Sequence, residues 1–185
     1  MSRAGCFVVL EGPEGAGKST LAQALLANAR EAGIQVTAVR EPGGTPAGEA
    51  ARRILLDHAH PVGPEAELFL VLADRFELST HAYQVAGRGL PAETVATANR
   101  LATGGLEPDL TLVLDVAFGT GRARQHAAGK ITDRLDDEDP AFHARVAEAY
   151  LAAQARGVRH LNANRSPTEV AQEAWDAIRQ VGGFA

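Results

Sequence analysis

The chain has 185 residues, 45% of them hydrophobic and 22% charged, with a formal net charge of −5 and a pI near 5.7. That is enough chain for one sizeable core in a single domain spanning residues 1–185, and its acidic balance argues against a polyanion-binding surface, which excludes a nucleic acid polymer as partner. No apolar run approaches a membrane span and no apolar leader opens the chain, while the single cysteine, Cys6, leaves no internal disulfide framework; the expectation is a soluble cytoplasmic protein.

The first predicted element is a strand, Cys6–Leu10, short and unbroken as buried parallel strands are. It feeds Gly12-Pro13-Glu14-Gly15-Ala16-Gly17-Lys18-Ser19-Thr20, which fits G-x-x-x-x-G-K-[ST]. In that pattern the glycines let successive backbone N–H groups turn inward around a polyphosphate. Lys18 brings a cation to the β and γ oxygens, and the Ser19 hydroxyl can ligand Mg²⁺. The helix that follows, predicted over Ser19–Ala32 and closed by Gly33, adds its positive N-terminal end. Gly12 to Thr20 are therefore the candidate ATP-binding residues; the bland alternative, a mere strand-to-helix turn, is disfavoured by the apolar periodicity on both sides.

A second strand is predicted over Gln35–Val39. Thr45-Pro46 then opens a helix whose Ala47, Ala51, Ile54 and Leu55 share a face. Leu68–Ala73 reads as a third strand ending at Asp74-Arg75. In α/β sheets ligands bind at the carboxyl ends of strands, so Arg75 is placed to hold an acceptor phosphate, with Arg40 assisting from the neighbouring loop; a surface ion pair is the plain alternative. Asp74 and Ser19 are the candidate Mg²⁺ ligands, because Mg²⁺ prefers oxygen.

A helix over Pro91–Thr103 ends at Gly104-Gly105, and a fourth strand, Leu110–Asp115, makes Asp115 a rival acid to Asp74. The segment Gly121–Arg134 carries Arg122, Arg124, His126, Lys130 and Arg134 and fits a mobile lid that closes over ATP and excludes water, with a solvated basic loop as the alternative. Asp139-Pro140 starts a helix with Phe142, Val146, Ala149 and Tyr150 on one stripe. After a fifth strand, Val158–Asn162, a capping box at Ser166-Pro167-Thr168-Glu169 precedes Val170, Ala174, Trp175 and Ile178. This alternation predicts a mainly parallel five-stranded α/β sheet with helices on both faces.

Four further blocks follow in order behind the phosphate loop: Arg40-Glu41-Pro42-Gly43-Gly44-Thr45-Pro46; Asp74-Arg75-Phe76; Ala82-Tyr83-Gln84 with Gly87-Arg88-Gly89-Leu90; and Gly105-Leu106-Glu107-Pro108-Asp109-Leu110-Thr111. Together, from the first strand to the last helix, they resemble the bacterial thymidylate kinases, nucleoside monophosphate kinases of the P-loop class. The resemblance implies transfer of the ATP γ-phosphoryl group to dTMP, with Mg²⁺, by a homodimer. It implies Lys18 on the donor, Arg75 on the acceptor phosphate, and Phe69 stacked on thymine. Tyr83 would pack where a ribose 2′-hydroxyl would collide, with Ser79, Thr80 and Gln84 lining the same pocket and Glu14 facing the acceptor sugar. A lid cation, Arg124, Lys130 or Arg134, would meet the transferring group. Without the family, Phe69 reads as core.

The chain departs from the family in two places. His126 and Ala128 stand where bacterial members carry lid arginines. More substantially, the family places an arginine four residues after the stacking phenylalanine and then a whole helix before the strand that ends in Asp-Arg-aromatic. Here the fourth residue is Ala73, and Leu68–Ala73 joins the start of that helix to the end of that strand. Either the base pocket is shortened or the chain is interrupted between Leu70 and Val71, and an interruption is the prediction. Two alternatives to a dTMP kinase stay open: another P-loop small-molecule kinase, and a nucleotide-binding module without turnover.

Overall fold

The computed structural model describes residues 5–39, 46–59, 62–72, 76–129 and 132–183. They form two compact units, one from Met1–Ala38, Glu107–His126 and Ala153–Ala185, the other from Val39–Leu106 and Ala127–Ala152.

The first unit contains β1 (Val8–Glu11), α1 (Lys18–Glu31), β2 (Leu110–Asp115), α6 (Phe118–Ala127), β3 (Val158–Asn162) and α8 (Pro167–Gly182). Its strands are parallel in the order β1-β2-β3, with Val9 opposite Thr111 and Leu112 opposite Arg159. Central β2 is buried along its length except at Asp115, as a strand paired on both edges and covered by helices is. Helices α1 and α8 pack together and against the sheet, closing a core of Leu21, Leu112, Leu114, Leu161, Ala174 and Ala177. The capping box is formed as the sequence requires: Ser166 Oγ accepts from the Glu169 backbone N–H at 3.3 Å and the Ser166 backbone N–H donates to Glu169 Oε2 at 3.1 Å. Gly183, left-handed at φ 61°, ends α8.

The second unit is helical: α2 (Pro46–Leu56), α3 (Pro64–Leu72), α4 (Glu77–Thr80) running directly into a π-helix (His81–Gly87), α5 (Ala92–Thr103) and α7 (Pro140–Leu151). Asp139 caps α7 by accepting from the Phe142 backbone N–H at 2.9 Å. Phe142 and Tyr150, each 1% exposed, share its core with Leu55, Val71 and Val95. The Phe142 ring lies so close to Gly87 that a Cβ there would sit 2.6 Å from it.

Two of the five expected strands are not formed. Leu68–Ala73 is instead helical as far as Leu72: Pro64 opens α3, Glu65 and Glu67 occupy its first turn where the helix dipole favours acids, and Leu68 and Val71 are buried. The helix passes through Leu70 and Val71 without interruption, where a break was expected. Gln35–Val39 is irregular, with Val36 52% and Val39 78% exposed. A strand needs a paired neighbour, and none is formed beside it among the described residues. Among the described residues the sheet therefore has three strands, and no described helix is long and apolar enough to cross a membrane.

Candidate functional site

In the first unit, β1 delivers the chain into a loop whose geometry only glycine permits. Gly12, Gly15 and Gly17 have φ of 136°, 71° and 98°, conformations that cost other L-residues heavily. A Cβ on Gly12 would also come within 2.8 Å of the Leu114 carbonyl oxygen of β2. On Gly15 it would overlap the backbone of Gly121, and the Gly121 α-carbon has no room for one against the Glu14 carbonyl. The loop is thus clasped between β2 and α6. Gly17 caps α1, so the orphan N–H groups of its first turn point at the loop. Lys18 folds back over it, its Nζ donating to the carbonyls of Gly12 at 2.6 Å and Pro13 at 3.0 Å. Ser19 and Thr20 are exposed beside it. This is a preformed cradle for an anion, with a cation at its rim.

Other predicted residues of this unit take defined positions. Glu14 is half-buried, with Gln125 Nε2 3.5 Å from its Oε2. The expected lid begins inside α6, where Arg124 Nη2 donates to the Ala163 carbonyl at 2.9 Å and Arg122 lies 5.8 Å from the centre of the Phe118 ring. Asp115 is engaged by His160: Nδ1 lies 2.9 and 3.0 Å from its two oxygens, while Nε2 faces the Ala153 carbonyl at 2.7 Å. Burial opposes charge on this imidazole, yet the acceptors on both ring nitrogens raise its pKa above the ordinary value.

In the second unit, α4 and the π-helix carry Ser79, Thr80, Tyr83 and Gln84, all buried. π-helices recur at functional sites because the widened turn re-aims side chains. The Ser79 and Tyr150 hydroxyls are 2.8 Å apart, Thr80 Oγ1 donates to the Phe76 carbonyl at 3.2 Å, and the Tyr83 ring meets Phe142 edge-on with centroids 6.1 Å apart. Gln84 Nε2 donates to Glu67 Oε1 at 3.0 Å, whereas its Oε1, buried, has no hydrogen-bond partner.

Glu67 is the centre of a charged cluster. Its carboxylate, 1% exposed, accepts from Arg88 Nε and Nη2, both at 2.9 Å, and from Arg134 Nη2 at 2.6 Å. Arg88 Nη2 also reaches Glu138 Oε1 at 2.6 Å, and its guanidinium lies 4.6 Å from the centre of the Phe142 ring. Burial pushes the Glu67 pKa up, but the donors from Arg88, Arg134 and Gln84 outweigh it and hold it below the ordinary value. Arg88 is likewise held more firmly protonated despite burial. Arg134, with Nε on the Leu55 carbonyl at 2.9 Å, is an anchor of this cluster.

The structure thus gathers the phosphate loop in one unit and Ser79, Thr80, Tyr83 and Gln84 in the other. Arg40, Asp74, Arg75, Lys130 and the side chain of Phe69 lie outside the described residues. Sequence reasoning missed Glu67, Glu138 and His160 and gave Arg88 no role. Its only available signal was an acid, Glu67, set at the head of an apolar run where charge is costly.

A family model described as "Thymidylate kinase" matches residues 10–78 and 64–174. The thymidylate kinase of Thermomicrobium roseum is 42% identical over 200 aligned residues, covering 95% of each chain. That of Pseudomonas putida (strain GB-1) is 43% identical over 170, covering 80% of each. The one from Synechococcus sp. (strain JA-3-3Ab) is 39% identical over 198, covering 94% of this chain and 95% of the relative.

Proposed function

The chain belongs to the thymidylate kinase family, and from that premise we propose that it transfers the γ-phosphoryl group of ATP to dTMP, giving dTDP and ADP. The observation that carries the donor half is the glycine-built loop opening α1 under Lys18. Phosphoryl transfer asks mainly for alignment and for charge neutralisation, and this loop supplies both without side-chain nucleophiles. The Lys18 ammonium, resting on the carbonyls of Gly12 and Pro13, exchanges them for the β and γ oxygens of ATP. The N–H groups of Gly15 to Thr20 take the remaining oxygens.

Mg²⁺ fits this chemistry: Ser19 offers an exposed hydroxyl oxygen next to the cradle, with Asp74 as the second ligand assigned from sequence. When bound, the ion neutralises charge on the β and γ phosphates. Asp115 is the weaker candidate because His160 occupies both its oxygens.

For the acceptor, Arg75 holds the dTMP phosphate, with Arg40 beside it and Phe69 on the base. Tyr83 excludes a ribose, with Ser79 and Thr80 beside it on the same stretch of chain; Glu14 is assigned to the acceptor sugar by the family resemblance alone. What supports this is the burial of Tyr83 and Gln84 on the π-helix together with the partnerless Gln84 Oε1, an acceptor that the N3–H of thymine satisfies. Arg124, which donates to a neutral carbonyl, that of Ala163, is assigned as the catalytic lid cation over Arg134, whose partner Glu67 is a buried carboxylate. The chain works as a single kinase domain, in the cytoplasm, where ATP and dTMP are supplied, and as the homodimer the resemblance implies.

A panel of nucleoside monophosphates with ATP tests this assignment. Phosphorylation of dTMP is expected; turnover of AMP or GMP without dTMP would reject it. In Arg75→Ala the affinity for dTMP should fall while ATP affinity holds, and an unchanged dTMP affinity would remove Arg75 from the acceptor site.

A further inference from the structure

Outside the phosphate loop, the most unusual polar arrangement among the described residues is the pairing of Gln84 with Glu67. Both side chains are almost fully buried, Gln84 at 0% and Glu67 at 1% exposure, yet only one end of the Gln84 amide is satisfied. Its nitrogen donates to Glu67 Oε1 at 3.0 Å and its oxygen has no partner. The orientation is not free to reverse. Glu67 is ionised, with two arginines donating to it, so it can only accept, and a reversed amide would press oxygen against carboxylate. Glu67 itself cannot turn away, because Arg134 and the doubly bonded Arg88 fix it, and Arg88 is held in turn by Glu138 and the Phe142 ring.

We propose that Glu67 is a positioning residue for base selection: by holding the Gln84 nitrogen it presents the Gln84 oxygen, an obligate acceptor, to the base of the incoming nucleotide. This deepens the assignment above and rests on Gln84 lining the acceptor pocket. A pyrimidine whose ring N3 carries hydrogen, as in thymine, donates to that oxygen. One whose N3 is a bare acceptor, as in cytosine, meets it lone pair to lone pair. An acceptor buried without a donor is costly, so the correct base relieves a penalty that the wrong one increases. The oxygen is buried in this structure, so the contact with the base requires the site to open as the nucleotide enters.

Glu67→Gln tests the role. The new amide can donate or accept, so Gln84 is released to sit either way round. The kcat/KM ratio of dTMP over dCMP is expected to fall about tenfold or more, chiefly through KM for the nucleotide acceptors, while KM for ATP stays unchanged. A merely structural role would lower turnover of both acceptors by the same factor, and that result overturns the proposal. Gln84→Leu separates the two layers: an unchanged KM for dTMP removes Gln84 from the pocket and takes this proposal with it. A raised KM there, beside an unchanged dTMP to dCMP ratio in Glu67→Gln, overturns the Glu67 role alone. Should Glu67→Gln not fold, the wild-type protein still decides. The Gln84 side-chain amide protons, followed by ¹⁵N-edited NMR, should be protected from solvent exchange before dTMP is added and stay so afterwards. Protection that arises only on dTMP binding would mean that the nitrogen faces the base.

Discussion

The phosphate loop and the Glu67 cluster are both polar sites, built in opposite ways. The loop is made of backbone: its shape comes from three glycines at φ values of 136°, 71° and 98°, and the groups it exposes at the start of α1 are peptide N–H. The cluster is made of side chains gathered from α3, the π-helix and its C-cap, and the segment before α7, with Glu67, Gln84, Arg88, Arg134 and Glu138 each relying on the others. A backbone site keeps its form when a side chain is lost; a buried ionic site does not, because each charge left behind is uncompensated.

The largest effect expected from this contrast is on the cluster. Glu67→Ala leaves two mostly buried arginines sharing the Glu138 carboxylate, and breaking a buried pair typically costs about 3–5 kcal/mol. Denaturant unfolding should show the midpoint falling steeply. The same carboxylate has a lowered folded pKa, so its stabilisation is present above the unfolded value and is lost as pH falls through the folded one. Wild-type stability should therefore drop in acid more than that of Glu67→Gln, and equal acid sensitivity would remove Glu67 as a cause.

Lys18→Ala should do the reverse, losing transfer roughly 100-fold to 1000-fold while the thermal midpoint moves little. A large loss of stability in this variant would mean that the loop depends on Lys18 for its shape, and the contrast would collapse. Gly87→Ala sharpens it from the packing side. The added methyl meets Phe142 at 2.6 Å, and overpacking of this kind costs about 1–3 kcal/mol, so the midpoint should fall without any change in ATP affinity.

The smallest effect belongs to His160. With acceptors on both ring nitrogens, its folded pKa lies above the ordinary 6.5. The pair therefore contributes its full stability below pH 6.5 and loses it as pH rises through the folded value. Melting wild type and His160→Gln between about pH 5 and pH 9 should show the wild-type advantage shrinking as pH rises. An advantage that grows would mean that the neutral ring is the favoured partner.

Much of the architecture was legible in the sequence wherever a short local signal sufficed. The phosphate loop, the capping box at Ser166, the Asp139 cap of α7 and the glycine stops at Gly33 and Gly104 each depend on residues within a few positions of one another. The family match rests on such blocks taken in order. The apolar runs were less decisive. Leu110–Asp115 formed the strand it promised, but Leu68–Ala73, as apolar and as short, is helical as far as Leu72, the end of α3. Periodicity over five residues does not separate a buried strand from a buried helix, and here Pro64 with two acids in the first turn tipped the balance.

What the sequence determined by itself was the donor chemistry, because glycine conformations and a neighbouring lysine are written in consecutive residues. What only the tertiary structure decided was the partner of every buried charge: that Glu67 meets Arg88 and Arg134, that the Gln84 amide is held by its nitrogen, and that Asp115 is taken by His160. Those partners lie from 17 to 67 positions apart along the chain. The energy of burying a charge depends on which groups the folded chain brings within about 3 Å of it, and no local pattern carries that information.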